Sequence, residues 1–228
     1  MIFSTKPSRR EALLGGIYLA VNILVLPRLF PLVHNLLGAP LGAAQLNFIF
    51  FCVNFLAVIV IFRNFLAAST RDALKVPFPT IWYAILGFFG NRILGEFVTI
   101  FCISVYPDFA NVNDGSIAVM VQQDFLMMAL GTVLLVPLAE EVLYRGLLFR
   151  GLFDRSPLAA YLVSTLLFAA IHVTGYIGQY EPVLLLLCFL QYLPAGYCLA
   201  FAYHRSGTIA APIFMHMMTN ISAISAMR

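Results

Sequence analysis

The sequence predicts an all-α, polytopic transmembrane helix bundle of about seven helices, with a range of six to eight. Hydrophobic residues make up 62% of the chain and charged residues only 10%, whereas a soluble domain averages about 25% charged residues. The 228 residues leave room for six to eight spans of ~20 residues and for little else. No segment alternates as barrel strands do, so each span is expected to be a helix.

Apolar runs bounded by polar residues, Pro or Gly predict the seven helices. They lie at 11–33, 44–66, 80–104, 122–153, 157–175, 182–204 and 208–227. The first is too long for a cleaved signal peptide and is interrupted by Pro27 and Arg28, so we expect it to be retained. The fourth is too long for one straight span, and Pro137 predicts a kink in it. The fifth has a strong start, with Ser156 as its cap and Pro157 in its first turn. The remaining four are apolar runs of spanning length.

Basic residues predict the orientation of the chain. They fall before the first helix and in alternate connections: Lys6, Arg9, Arg10, Arg63, Arg71, Lys75, Arg150, Arg155 and Arg205. The opposite connections carry Asp108, Asp114 and Glu181 but no Lys or Arg. Because Lys and Arg accumulate in cytoplasmic loops, we expect a cytoplasmic N-terminus and a C-terminus on the other side. The net charge of +3 reflects this bias, and we expect no nucleic-acid partner.

The first polar motif is Glu140-Glu141-x-x-x-Arg145, inside the fourth apolar run. On a helix Glu141 and Arg145 share a face and can pair as supporting residues. Glu140 points about a third of a turn away and stays free, which suits a general base. The alternative is a solvated, charged helix end, but the residues on both sides of the motif are apolar.

Two further motifs follow, Phe168-x-x-x-His172 and His216-x-x-x-Asn220. Taken alone, His172 is more commonly a structural histidine bonded to a backbone carbonyl. His216 and Asn220 share one helix face and could equally be an interhelical hydrogen-bonding pair. Counted from the cytoplasmic helix ends at 1.5 Å per residue, the three motifs lie at roughly 20, 23 and 12–18 Å. These overlapping depths predict that the motifs converge on one cavity.

In this order the motifs resemble the EExxxR, FxxxH and HxxxN pattern of the CAAX-protease and bacteriocin-processing family of intramembrane endopeptidases. This family is also called CPBP, Abi or type II CAAX prenyl endopeptidase-like. The resemblance covers roughly residues 125–225 and includes Tyr144-Arg145-Gly146 and the stretch from Gly196 to His216. The first hundred residues match no motif and do not contribute to it.

The resemblance implies a glutamic-type peptide hydrolase. In such an enzyme Glu140, helped by His172, activates a water, and His216 with Asn220 stabilises the oxyanion of the tetrahedral intermediate. We favour a mechanism without a cofactor. Zinc is the alternative, because two His and two Glu could ligate it. Against zinc, the sequence has no H-E-x-x-H motif, and Glu141 is expected to be committed to its pair.

The predicted protein is one integral membrane domain, 1–228, in the cell (inner) membrane of a prokaryote. It comprises N-terminal helices without a recognised motif, 1–110, and a catalytic helix core, 122–227. The expected substrate is a membrane-associated peptide or C-terminal tail. A non-catalytic membrane immunity or partner-binding protein of the same fold is the alternative. A proton-coupled carrier with a Glu–His relay is a third hypothesis, disfavoured because no inverted halves are visible.

Overall fold

The computed structural model describes residues 3, 5–38 and 40–227, and within these residues the chain forms ten helices and no β-strand. The helices are α1 (Arg9–Leu24), α2 (Leu26–Leu37), α3 (Ala43–Ile61), α4 (Arg63–Lys75), α5 (Pro77–Val105), α6 (Val112–Gln123), α7 (Phe125–Phe153), α8 (Pro157–Thr174), α9 (Pro182–Ser206) and α10 (Ala210–Ala226). The predicted all-α fold class is confirmed.

Five of the described helices, α3, α5, α7, α8 and α9, are long and apolar enough to cross a membrane. The pair α1 and α2 counts as a sixth span if its two halves, bent by 58°, are taken together. Helix α10 is shorter, at 17 residues, but it runs between the same two ends of the bundle. The structure therefore supports an integral membrane protein with five or six candidate spans, and the upper count lies within the predicted range of six to eight.

One end of the bundle gathers most of the cations, and we call it the basic end. Here Lys6 lies 3.0 Å from Asp154, which follows α7, and Thr80 near the start of α5 lies 3.2 Å from Thr208, which precedes α10. Helices α1, α5, α8 and α10 begin at this end, and α3, α7 and α9 finish there. It carries nine basic residues: Lys6, Arg9, Arg10, Arg63, Arg71, Lys75, Arg150, Arg155 and Arg205.

The opposite end, which we call the distal end, carries α6 and α2. The Gln123 side chain at the end of α6 accepts a hydrogen bond from the Ala44 N–H at the start of α3. Ala44 also packs in a buried cluster with Val121, Met128 and Ile224. This cluster joins the start of α7 to the last turns of α10. Helices α3, α7 and α9 therefore begin where α5, α8 and α10 finish.

Three predicted helices differ from the structure. The segment 11–33 bends at Val25, because Pro27 in the first turn of α2 has no N–H with which to continue α1. The segment 44–66 breaks at Phe62, after which α4 lies at the basic end. The segment 122–153 begins instead at Phe125, because Asp124 caps α7 by accepting the Met127 N–H.

Helix α7 carries the first motif and is not a regular α-helix. It contains two π-helical stretches, Gly131–Leu135 and Val142–Phe149. The first ends two residues before Pro137, whose ring would clash with a carbonyl of the preceding turn in a regular helix. A wide turn at this point accommodates the proline. The predicted kink therefore takes the form of π-helical turns around Val136–Glu141.

Close backbone contact between helices fixes the middle of the bundle. A Cβ on Gly196 of α9 would lie 3.1 Å from both the Cα and the carbonyl oxygen of Thr165 in α8. Small residues allow such approach in membrane bundles, where van der Waals packing drives helix association. The Arg145 side chain bonds to the Gly196 carbonyl beside this contact, and Arg145, Tyr144 and Tyr203 are almost fully buried.

Candidate active site

The centre of the site is a buried ion pair. Glu141 and Arg145 are both 0% exposed, and the Arg145 Nη1 donates to Glu141 Oε1 at 3.1 Å. The Arg145 Nη2 donates to the Gly196 carbonyl at 2.9 Å. The guanidinium also lies 4.5 Å from the ring centroid of Phe168, the first residue of the second motif. The ion pair predicted from the i,i+4 spacing is therefore present, and it ties α7 to α8 and α9.

His216 of the third motif joins this pair, which the sequence did not predict. Its Nδ1 lies 2.9 Å from Glu141 Oε1. A carboxylate accepts hydrogen bonds, so Nδ1 carries the proton that is donated to Glu141. When the ring is neutral, its Nε2 then has a lone pair and no proton. The two residues are 75 positions apart, and no local spacing could have indicated this contact.

Glu140 lies outside the ion pair, as predicted. It makes no hydrogen bond or ion pair with the described residues, and its Oε2 is buried without a partner. A buried carboxylate oxygen without a donor is costly. Oε2 of Glu141 and Nε of Arg145 are also buried without a partner, but both of those residues make other hydrogen bonds. Glu140 makes none with the described residues, so its hydrogen bonds have to come from a water or a bound molecule.

His172 combines a structural contact with a place in the cavity wall. Its Nδ1 lies 2.7 Å from the Phe168 carbonyl oxygen, which can only accept, so Nδ1 carries a proton. Its ring stacks on Tyr192 of α9, with centroids 4.1 Å apart and planes at 25°. These two contacts fix the ring and leave Nε2 as the free nitrogen. The backbone-bonded histidine considered from the sequence is thus present, and its ring also lines the cavity.

Asn220 is held by a carbonyl that Pro137 leaves free. The Asn220 Nδ2 donates to the Thr132 carbonyl at 2.7 Å. In this π-helical stretch the Val136 N–H bonds to the Gly131 carbonyl, five residues back. With the same five-residue spacing, the Thr132 carbonyl would accept from the N–H of residue 137, but this residue is Pro137 and has no N–H. The amide of Asn220 takes the vacant position, and one of its two N–H bonds remains for another acceptor.

The predicted residues meet at the floor of a cavity of about 620 Å³. Glu140, His172, His216 and Asn220 all line it, whereas Glu141 and Arg145 lie buried behind it. The structure thus brings the three motifs together, and the catalytic roles of these residues remain predictions.

The cavity walls come largely from helices that carry no motif. Apolar side chains of α1, α2, α3 and α6 face the polar floor, among them Ile23, Phe30, Leu46, Phe50, Ile117 and Met120. The Phe30 and Phe50 rings meet edge to face with centroids 5.3 Å apart. Hydropathy places four of these residues on predicted membrane helices, whereas Ile117 and Met120 fall in a predicted connection. Nothing in the spacing of the six residues indicates that they face a cavity.

A polar network closes one side of the cavity. The Tyr192 hydroxyl donates to Asp114 Oδ1 at 2.7 Å and accepts from Asn113 Nδ2 at 3.0 Å. It joins α6 to α9 at the ring that stacks on His172. Burial raises the pKa of the Asp114 carboxyl, and the hydrogen bond from Tyr192 opposes that rise. The sequence placed Asp114 in a connection and did not indicate a role at the cavity.

Residues 122–222, which contain all three motifs, match a family described as type II CAAX prenyl endopeptidase Rce1-like. These residues are therefore similar to that family. The resemblance predicted from the motifs is confirmed for this part of the chain. The chain is also 26% identical over 179 residues to "Putative membrane peptidase YdiL" of Bacillus subtilis (strain 168), a match that covers 74% of this chain and 67% of that protein. No solved structure matches the chain significantly.

The geometry of the site also limits where a metal ion could bind. Among the residues that the structure describes, no group of three or more His, Cys, Asp or Glu side chains is arranged to hold one. Arg145 and His216 both contact Oε1 of Glu141, whereas its Oε2 is buried without a partner. The zinc hypothesis therefore depends on the carboxylate of Glu140, on Oε2 of Glu141 and on the Nε2 atoms of His172 and His216.

Proposed function

We propose that the protein is an intramembrane endopeptidase that hydrolyses a peptide bond in a membrane-associated peptide or C-terminal tail. The observation that carries this proposal is the unpartnered Glu140 carboxylate, at the floor of a cavity beside two orientated imidazoles. A buried carboxylate without a donor suits a base that binds a water. The similarity of residues 122–222 to the Rce1-like family supports the same reaction class.

In the first step Glu140 takes a proton from the bound water as its oxygen attacks the carbonyl carbon of the substrate. A C–O bond forms, and the carbonyl electron pair moves to oxygen as an oxyanion. In the second step the oxyanion collapses, the C–N bond breaks, and Glu140 returns the proton to the leaving amine. The Nε2 of His172 accepts a hydrogen bond from the same water and orients it.

The oxyanion needs donors that are already in place before the reaction. Asn220 supplies its second amide N–H, held in position by the Thr132 carbonyl. His216 can donate from Nε2 only as a doubly protonated imidazolium, whose charge the Glu141 carboxylate faces at 2.9 Å. Glu141 and Arg145 are positioning residues in this scheme.

The same scheme needs no cofactor, and we propose a metal-free reaction. The zinc alternative is tested by treating purified protein with a chelator and assaying cleavage. Full activity after chelation supports the metal-free reaction, whereas loss of activity that added zinc restores contradicts it.

We further propose that the N-terminus is cytoplasmic and that the membrane is the inner membrane of a prokaryote. The asymmetry of nine basic residues at one end of the bundle supports this orientation. The relative from Bacillus subtilis, whose name describes a membrane peptidase, supports the prokaryotic assignment.

The deciding experiment compares cells that contain the wild-type protein, Glu140→Gln or Glu96→Gln at matched abundance. Glu96 is an exposed acid on α5 outside the cavity, so its variant controls for the chemical change. Mass spectrometry of membrane-protein and peptide termini is the readout.

We expect a set of termini that the wild-type protein and Glu96→Gln produce and that Glu140→Gln does not. Identical termini in all three, with any cellular phenotype retained, would favour a non-catalytic immunity or partner-binding protein. Loss of a pH-dependent transport activity without any change in termini would favour a carrier.

A further inference from the structure

We infer that the cavity opens on the noncytoplasmic side of the membrane, and that its substrate is a membrane-anchored polypeptide cut at the noncytoplasmic border of the bilayer. This inference rests on the proposed function and adds the side from which the substrate enters. It follows from where the cavity lies relative to the charged ends of the bundle.

The charges of the two ends differ strongly. The basic end carries nine Lys and Arg residues. At the distal end Arg28 is the one cation among the described residues, and its guanidinium bonds to the Leu24 carbonyl at 2.6 Å. The same end also carries Asp108, Asp114 and Glu181. The retention of Lys and Arg on the cytoplasmic side therefore assigns the distal end to the noncytoplasmic side.

The cavity belongs to the distal half of the bundle. Helix α3 contributes its first turns (43–51) to the lining, α8 its last turn (171–174) and α10 its second half (216–224). The exposed lining residues all lie near this end: Pro27, Pro31, Ala43, Asp114, Thr174, Gly175 and Ala223. The opening therefore faces away from the nine cations.

Packed protein separates the floor of the cavity from the basic end. About 13 residues of α7 lie between Glu140 and the end of the helix at Phe153, or roughly 20 Å along its axis. Over this length Tyr144, Arg145 and Phe149 are almost fully buried. A cytoplasmic tail would have to pass through this core to reach Glu140, whereas a chain entering from the distal end meets the cavity directly.

The lining indicates the chemistry of the segment that enters. One wall is apolar, from α2, α3 and α6, and the other carries Asn113, Asp114 and Tyr192 above the polar floor. A polypeptide at the border of a bilayer presents the matching pair of surfaces, with apolar side chains towards lipid and hydrated backbone beyond it. The volume of about 620 Å³ lies within the range of pockets that enclose a drug-sized ligand, which corresponds to a few residues.

Accessibility of single cysteines tests the side of the opening. Gln179→Cys is exposed at the distal end, Thr70→Cys is exposed at the basic end, and Met120→Cys lies in the cavity wall. A membrane-impermeant maleimide is applied to right-side-out spheroplasts and to inverted membrane vesicles. The wild-type protein, with its four native cysteines, gives the background.

We expect Gln179→Cys and Met120→Cys to react at least fivefold faster in spheroplasts, and Thr70→Cys to react only in inverted vesicles. The opposite pattern would overturn the inference, as would reaction of Met120→Cys from the same side as Thr70→Cys.

The termini that depend on Glu140 test the substrate class. We expect them on the noncytoplasmic flank of membrane-spanning segments, and termini on the cytoplasmic flank would overturn the inference while leaving the endopeptidase proposal intact. If no termini depend on Glu140, the endopeptidase proposal and the substrate class fail together, while the cysteine labelling still decides where the cavity opens.

Discussion

Replacing Glu141 by Gln removes one charge of the buried ion pair and keeps the size of the side chain. Glu141 and Arg145 are 0% exposed, so the variant leaves a guanidinium buried without its counter-charge. Breaking a buried pair from one side costs about 3–5 kcal/mol. A chain of this size loses about 2–4 °C in Tm for each kcal/mol. We therefore expect Glu141→Gln to lower Tm by about 6 to 20 °C.

Thermal unfolding in detergent with a thiol-reactive dye measures this change, because three of the native cysteines are buried and react only after unfolding. Glu140→Gln is the matched control, with the same substitution at the neighbouring position and no partner to lose. We expect it to stay within about 2 °C of wild type, as mutations that break no contact usually cost under about 0.5 kcal/mol.

The double variant Glu141→Gln/Arg145→Met separates charge from packing. It leaves neither charge unpaired, so we expect it to regain part of the lost stability. A Glu141→Gln variant as stable as wild type would refute the reasoning. So would a double variant that melts well below the single one.

Three other variants test the packing, the surface charge and the held amide. Gly196→Ala should lower the free energy of unfolding by about 1–3 kcal/mol, because its methyl would lie 3.1 Å from the backbone of the adjoining helix. Gly95→Ala has nothing within 4 Å of its methyl and should raise that free energy by up to about 1 kcal/mol. A higher Tm for Gly196→Ala than for Gly95→Ala would contradict this. Hydrogen bonds from Lys6 and Arg150 hold the pKa of Asp154 below its usual 3.8. For a half-exposed pair the contribution to stability is about 0.2–1 kcal/mol. This stabilisation is complete above pH 3.8 and is lost as the pH falls through the lower pKa of the folded state. The Tm difference between wild type and Asp154→Asn should therefore shrink between pH 7 and pH 3, and a difference that grows would show the sign to be wrong. Asn220→Ala should lower kcat about 100-fold or more. Pro137→Ala restores an N–H that competes with Asn220 for the Thr132 carbonyl, so it should lower kcat by less and leave KM unchanged. Wild-type turnover in Pro137→Ala would show that the proline does not position the Asn220 amide.

The sequence predicted the fold class and four of the helices within a few residues. The predicted segments 80–104, 157–175, 182–204 and 208–227 correspond to α5, α8, α9 and α10. These helices are predominantly apolar, and Pro marks the first turn of three of them. The short helices α2 and α4 were included in longer predicted helices or left as connections, and most of α6 was missed. Hydropathy gives no boundary where an apolar run bends or becomes polar.

Motif spacing identified the residues at the cavity floor but not their partners. The contacts of His216 with Glu141 and of Asn220 with Thr132 span 75 and 88 positions, so they depend on how α10 packs against α7. The π-helical turns of α7 also change which side chains share a face. Regular 3.6-residue periodicity therefore cannot predict the geometry of this helix.

The apolar wall of the cavity is built mainly by residues before 122, outside the residues that match the Rce1-like family. Substitutions at positions such as Phe30 and Phe50 can reshape what the cavity accommodates without touching any group at its floor. Recognition and bond cleavage are thus inherited on different stretches of the chain and can diverge at different rates. A substrate identified for one relative does not transfer to another through the shared motifs alone.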